Sequence, residues 1–217
     1  ADHRASVATM LNALRGSGKT FIQTSGSGIV ADGAGGERSD TVYADDTPVR
    51  PVPAREARVA LNRDILATAE HGVHPIVIAP TMIYGRGAGA NPNSIQVPKM
   101  MALARKTGVA KFIGRGENIW SNVHIEDLAD LYLAALARAP AGAFYYAENG
   151  ECSMKQIAQA IASALKLGGT VSMSQAEAAA EWGEGSAQWS FGSNSRVRAL
   201  RARKELGATA LEVNVMG

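Results

Sequence analysis

Val7, Met10, Leu11 and Leu14 recur at helical spacing and are followed by Gly16, a pattern that predicts a helix over about 4–15 with a glycine stop. The next apolar run, TFIQTS, is too short for a helix and predicts a short buried strand over 20–25. Residues 26–53 turn polar and glycine-rich and end in Pro48, Pro51 and Pro53, which predicts a long loop. A helix over about 54–71 closes at Gly72. It leads into HPIVIAP, residues 74–80, an unbroken apolar run of the kind found in strands of a parallel sheet that are covered on both faces.

The second half continues the alternation. A glycine- and asparagine-rich loop over 85–97 precedes a helix over about 98–107 and a short strand, KFIG, at 111–114. Leu128, Leu131, Tyr132 and Ala135 form one apolar stripe along a helix over 125–138, and AFYYAEN at 143–149 reads as a strand. Ser153-x-x-Gln156 and Ser174-x-x-Glu177 are capping boxes, opening helices that run to about 166 and 182. A last helix is predicted over about 194–206, stopping at Gly207. Strands alternating with helices indicate a parallel α/β sheet built from right-handed crossovers. A doubly wound sheet opens on a strand, whereas this chain opens on a helix, so the pattern reads as the second part of such a sheet.

Composition narrows the function classes. With 46% hydrophobic and 19% charged residues over 217 positions, the chain can bury one sizeable core with a lobe attached. The net charge is +2 and the basic residues are dispersed, which argues against nucleic acid or an anionic membrane as partner. No uninterrupted apolar run approaches the roughly 18 residues of a membrane span, and the opening segment ADHRASVATMLNALRG reads as a helix and not as the apolar core of a signal peptide. Cys152 stands alone, which precludes an intramolecular disulfide and fits a reducing cytoplasm. The histidines at 3, 71, 74 and 124 show no metal-ligand spacing, so no metal is expected.

Two glycine patterns invite a phosphate-loop reading and fail it. GSGKT at 16–20 resembles the end of a Walker loop, but Ala13 stands where its first glycine belongs, and a helix precedes it where a strand should. Gly26-x-Gly28-x-x-Ala31 does follow a strand, yet DGAGGERSD comes next and cannot start the helix that would carry a pyrophosphate. Gly26-Ser27-Gly28 likewise lacks the helix of a nucleophile elbow.

Taken in order, FIQTSGSGIVAD, the helix after the prolines, PIVIAPTMIYGRGAG and NVHIEDLADLYLAAL resemble the extended short-chain dehydrogenase/reductase superfamily. The similarity is to NAD-dependent epimerase/dehydratase-like proteins of its atypical branch, and it covers nearly all of 1–207. The resemblance implies a Rossmann-like doubly wound parallel sheet, here without its N-terminal, phosphate-binding half, and a small α/β substrate lobe. It also implies NAD or NADP as cofactor and a small carbonyl or nucleotide-sugar substrate. Implied boundaries are 1–84 for the C-terminal part of the dinucleotide-binding domain and 85–122 for a lobe segment. A return helix and strand over 123–150 follow, then a C-terminal lobe over 151–217.

The same resemblance places Thr24, Ser25, Gly26, Pro80, Thr81, Met82 and Ile83 at the nicotinamide end of the cofactor. Asn91, Asn93, Ser94, Gln96 and His124 fall on the substrate side. It puts the family's Ser/Thr position at Gly26 or, with a one-residue slip, at Ser25. It so implies Ser25 and Arg58 as the catalytic polar groups, with Arg58 also toward the ribose, and a homodimer face made by the helices at 4–15 and 54–71. One departure is sharp. The superfamily's Tyr-x-x-x-Lys is absent, because Ala54 stands at the tyrosine position and Arg58 at the lysine, with Asn62 one turn on. An arginine can still bind ribose hydroxyls, but there is no tyrosine for it to tune. The competing reading is therefore a non-catalytic NAD(P)-binding sensor or interaction protein. Trp120, Trp182 and Trp189 are assigned to core or lobe packing.

Overall fold

The computed structural model describes residues 3–207. Helix α1 (His3–Leu14) leads to strand β1 (Thr20–Thr24), a 3-10 turn at Ser27–Val30 and the two-residue strand β2 (Tyr43–Ala44). Helix α2 (Pro53–Ala67) then feeds β3 (His74–Pro80) and β4 (Met82–Tyr84). After α3 (Gln96–Thr107) come β5 (Ala110–Ile113) and β6 (Ile119–His124), followed by α4 (Ile125–Arg138) and β7 (Ala143–Ala147). The C-terminal part holds β8 (Gly150–Ser153), α5 (Met154–Ala164), β9 (Thr170–Met173) and α6 (Gln175–Trp182). Short α7 (Glu184–Ser186) passes into a π-helical turn at Ala187–Phe191, and β10 (Val197–Arg198) and α8 (Leu200–Leu206) close the described chain.

The main sheet runs β1-β3-β7, all parallel, with β3 in the middle. Ile76, Val77, Ile78 and Ala79 of β3 are fully buried because α1 and α2 cover one face and α4 and α8 the other. On one side Val77 packs with Val7, Leu11 and Ile65; on the other, Ile76 and Ile78 join Leu128, Leu131 and Ala135. Two smaller sheets build the lobe: β4-β6-β8, with β6 and β8 antiparallel, and the parallel pair β5-β9. A separate apolar cluster of α3, α5, α6 and β5 forms the lobe core, including Met100, Leu103, Phe112, Ile157, Ile161 and Trp182. Both predicted capping boxes are made: the Ser153 and Ser174 hydroxyls accept from the Gln156 and Glu177 amides.

Three expectations are corrected. β1 is not buried: only Gln23 is covered, because β1 is at the edge of its sheet among the described residues. The helix after the prolines ends at Ala67, and 68–71 tighten into a 3-10 turn before Gly72 caps it at φ 71°. The last helix starts at Leu200, not 194, since residues 193–198 are drawn into extended pairing with the front of the molecule. Asn194, Ser195 and Arg196 spend their hydrogen bonds on Asp32, Ser27 and Glu151, which outweighs their helical potential.

Glu151 anchors that extended segment. Burial alone would raise its carboxyl, but Arg196 at 2.7 Å and Arg198 at 3.0 Å outweigh burial and hold it at about 2. A depressed carboxyl stabilises the fold fully above its ordinary value near 4.5 and loses that contribution as pH falls toward 2. With solvent screening the loss amounts to about 1–2 kcal/mol. Urea midpoints near pH 5 and near pH 3 check it: the wild type should lose more stability on acidification than Glu151→Gln. Parallel losses would remove Glu151 from the acid response.

Candidate nicotinamide-side site

The C-terminal ends of β1 and β3 lie side by side, with Thr24 opposite Ile78 and the Ser25 amide donating to the Ile78 carbonyl at 2.7 Å. Successive residues of a strand face opposite sides of the sheet, so Thr24 and Ser25 part company here. Ser25 turns toward α2, where the Asn62 Nδ2 donates to its Oγ at 2.8 Å. Asn62 is one of two buried residues of α2, beside Ile65, so its bond to Ser25 is a buried polar contact next to an apolar cluster. Thr24 faces α4, where its hydroxyl and that of Tyr132 are 2.6 Å apart. Burial raises the Tyr132 phenol, with the Thr24 hydrogen bond pulling the other way. Tyr132 therefore does not replace the missing tyrosine: the sheet stands between it and Ser25.

Gly26 follows in extended backbone, φ 172°, and a β carbon there would come within 3.9 Å of the Pro80 carbonyl. Thr81 is buried, and both its amide and its hydroxyl donate to the Ala147 carbonyl, at 3.2 and 2.8 Å. Its polar groups are thus committed to joining β3 to β7. The Met82 side chain is buried in the lobe core, so Met82 can meet a ligand only through backbone, whereas Ile83 is half-buried and packs against the main core.

Arg58 is exposed on α2, one turn before Asn62. His124 caps α4: its Nδ1 accepts from the Glu126 amide at 3.3 Å, which puts the proton of the neutral ring on Nε2. The imidazole meets Tyr84 edge-on at 5.2 Å between centroids and fills the space beside Gly85, where a β carbon would come 2.3 Å from Nε2. Asn91 and Asn93 are exposed on the loop before α3, and Ser94 and Gln96 are half-buried at its foot.

Two tryptophans are as expected and one is not. Trp182 packs on Phe191 in the lobe core, and Trp120 is buried with its indole N–H donating to the Ser193 carbonyl at 2.6 Å. Trp189 is only half-buried: it lies against Gly33 with the Arg55 guanidinium 5.5 Å from its ring centroid. Arg55 is a residue that sequence reasoning missed; its spacing from Arg58 and Asn62, i, i+3, i+7, was the available signal. Among the described residues no three His, Cys, Asp or Glu side chains gather in a metal-binding group, and no helix is long and apolar enough to cross a membrane.

Two parallel strand ends carrying a serine and a glycine, set against a helix that presents polar residues to them, define an α/β protein whose candidate site is at the carboxyl ends of its strands. Residues 2–147 match the NAD dependent epimerase/dehydratase family, and the chain belongs to it. An uncharacterised protein of Schizosaccharomyces pombe is 30% identical over 172 residues, covering 78% of this chain and 54% of that protein. The oxidase ucsJ of Acremonium sp is 29% identical over 219 residues, covering 86% and 63%. The chain thus spans little more than half the length of the curated relatives it matches. Among solved structures it is similar to dTDP-glucose 4,6-dehydratase of Bacillus anthracis in complex with NAD. There the TM-score is 0.69 at 16% identity, over 93% of this chain and 60% of that one. UDP-glucose 4-epimerase of Thermotoga maritima gives 0.70 at 16% identity, over 97% and 63%. These likenesses carry the Rossmann-like fold.

Proposed function

We propose that the protein binds NAD or NADP with the nicotinamide over the ends of β1 and β3, and acts as an epimerase, dehydratase or reductase on a small carbonyl or nucleotide-sugar substrate. The observation that carries this reading is the Asn62–Ser25 hydrogen bond at the strand end of a chain in this family. The residues suit the group: Gly26 leaves the strand end open, Ser25 offers a hydroxyl, and Arg58 stands one turn away as a fixed cation. A bound nicotinamide would supply hydride exchange with the substrate carbon. Because Ser25 Oγ accepts from Asn62, its own O–H remains free to donate to a carbonyl oxygen. Arg58 takes the ribose-side position and stabilises negative charge without tuning a tyrosine.

On this reading Thr24, Gly26, Pro80, Thr81, Met82 and Ile83 frame the cofactor end, and Asn91, Asn93, Ser94, Gln96 and His124 the substrate side. The α1–α2 face is proposed to pair in a homodimer. A binding-only role is the second reading, favoured by the Ala54 and Arg58 substitutions in the Tyr-x-x-x-Lys pattern.

Calorimetric titration of the purified protein with NADH and NADPH separates these. Micromolar binding of one of them is expected. With the cofactor bound, Ser25→Ala should retain binding and lose about 100-fold or more in turnover. Asn62→Asp should also lose turnover, because a carboxylate accepts from Ser25 and takes away the proton it would offer substrate. Binding with no turnover of any carbonyl substrate supports the sensor; absence of binding by a chain that also carries the phosphate-binding half rejects both.

A further inference from the structure

We infer that Arg55 and Trp189 form a subsite for an anionic group of the substrate, a carboxylate or a phosphate, about 10 Å along α2 from the reacting end. The inference rests on the reading of Ser25 and Asn62 as that end. Arg55, Arg58 and Asn62 lie on one stripe of α2, and at 1.5 Å rise per residue Arg55 is about 10 Å before Asn62. A ligand held at both ends would span that distance.

Arg55 is unusual among the buried and half-buried guanidiniums. Arg196 and Arg198 meet Glu151, Arg201 meets Glu205, and Arg203 meets Glu148. Among the described residues Arg55 makes no ion pair with a carboxylate, and the charge that acts on it is another cation, Arg58. Burial first, and Arg58 second, lower its pKa, though an arginine stays charged throughout the physiological range. Its Nε is buried and bonded to nothing in the protein. An uncompensated, half-buried cation is costly to hold, and an anion arriving from solvent at the terminal nitrogens would relieve that cost.

The surroundings fix that cation in place. The Arg55 guanidinium lies over the Trp189 ring, 5.5 Å from its centroid, and with Nε buried a bidentate contact would use the two terminal nitrogens. Trp189 is itself held: Gly33, at φ 68°, lets the indole approach to where a β carbon would be 3.0 Å from Cζ3. The tryptophan also sits in a π-helical turn, Ala187–Phe191, a rare geometry that recurs at functional sites. The lobe thus supplies the platform and α2 the charge.

The probes are inorganic phosphate and succinate, titrated into the wild type and into Arg55→Gln, followed by indole fluorescence and by thermal midpoint. Saturable millimolar binding of at least one anion is expected, at least tenfold weaker in Arg55→Gln, while NADH binding changes less than twofold. Trp189→Phe should abolish the fluorescence response and keep the thermal one. If Arg55→Gln does not fold, Arg55→Lys serves: charge without the planar fork should still weaken the anion several-fold. Equal anion binding by wild type and variant overturns the subsite. So does a tenfold loss of NADH binding with anion binding intact, which would assign the guanidinium to the cofactor's phosphates. Anion binding lost in Arg55→Gln, in a protein that binds no dinucleotide, would keep the subsite and reject the cofactor reading.

Discussion

Asn194→Ala is expected to destabilise the fold by about 3–4 kcal/mol, because one buried side chain satisfies four partners at once. Its Nδ2 donates to Asp32 Oδ2 and to the Glu37 carbonyl, both at 2.9 Å. Its Oδ1 accepts from the Ile119 amide at 2.8 Å and the Ser39 amide at 3.2 Å. Removing it leaves the buried Ile119 amide and the half-buried Ser39 amide without that acceptor. It also takes one donor from Asp32, whose Oδ1 keeps the Ala34 and Asn194 amides. An orphaned buried donor costs more than the bond itself contributes. Asn194→Asp should be no milder, since it would set a second carboxylate against Asp32. Equilibrium urea unfolding measures both, with Asn93→Ala, an exposed loop change, expected to stay within about 0.5 kcal/mol of wild type. A loss under 1 kcal/mol for Asn194→Ala would mean that this junction does not hold the loop to the C-terminal segment.

Gly36→Ala is expected to cost at least about 3 kcal/mol, and with it roughly 6–12 °C in Tm. At φ 97° the residue is in the left-handed region, and a β carbon would stand 2.2 Å from the Ile113 carbonyl oxygen. The obstacle is backbone, so no rotamer change relieves it. Gly36 also accepts from the Glu117 and Asn118 amides and donates to the Gly192 carbonyl, tying the loop to the lobe at one point. Gly35 is the control. It has φ 67° and nothing within 4 Å of a β carbon, so Gly35→Ala should cost only about 1 kcal/mol, the conformational part alone. Similar losses at the two positions would show that conformation, and not the close approach, governs Gly36.

Both sites bear on the proposed anion subsite, because Gly33 and Trp189 flank the same junction. Ser193 Oγ accepts from the Asp32 and Gly33 amides, and Trp189 lies on Gly33 a few residues earlier in the same lobe segment. A variant that loosens Asn194 should therefore weaken anion binding at Arg55 even at temperatures where the fold is intact.

The family resemblance located the Ser25 end of β1 and the run 74–80, and these lie side by side as a parallel pair. Both capping boxes and the α4 stripe were legible because each is a local pattern, readable within a turn or two of helix. The short strands β4, β6 and β8 escaped notice, since three to six residues of mixed polarity carry no period of their own. Their existence depends on partners far away in sequence, as in the pairing of Trp120 with Cys152 and its bridge to Ser195.

By itself, then, the sequence determined the alternating α/β order, the two capping boxes, the absence of Tyr-x-x-x-Lys and the strand end on which Ser25 sits. Only the tertiary structure decided that Asn62 bonds Ser25, that Thr24 faces the other way, and that 193–198 forsakes its helix for a buried polar seam. It also decided that Arg55 rests unpaired on Trp189, 134 positions later in the chain. The physical reason is range: helical periodicity and caps are set by neighbours a few residues apart. Desolvation, charge compensation and the satisfaction of buried donors depend on which distant segments the fold brings into contact.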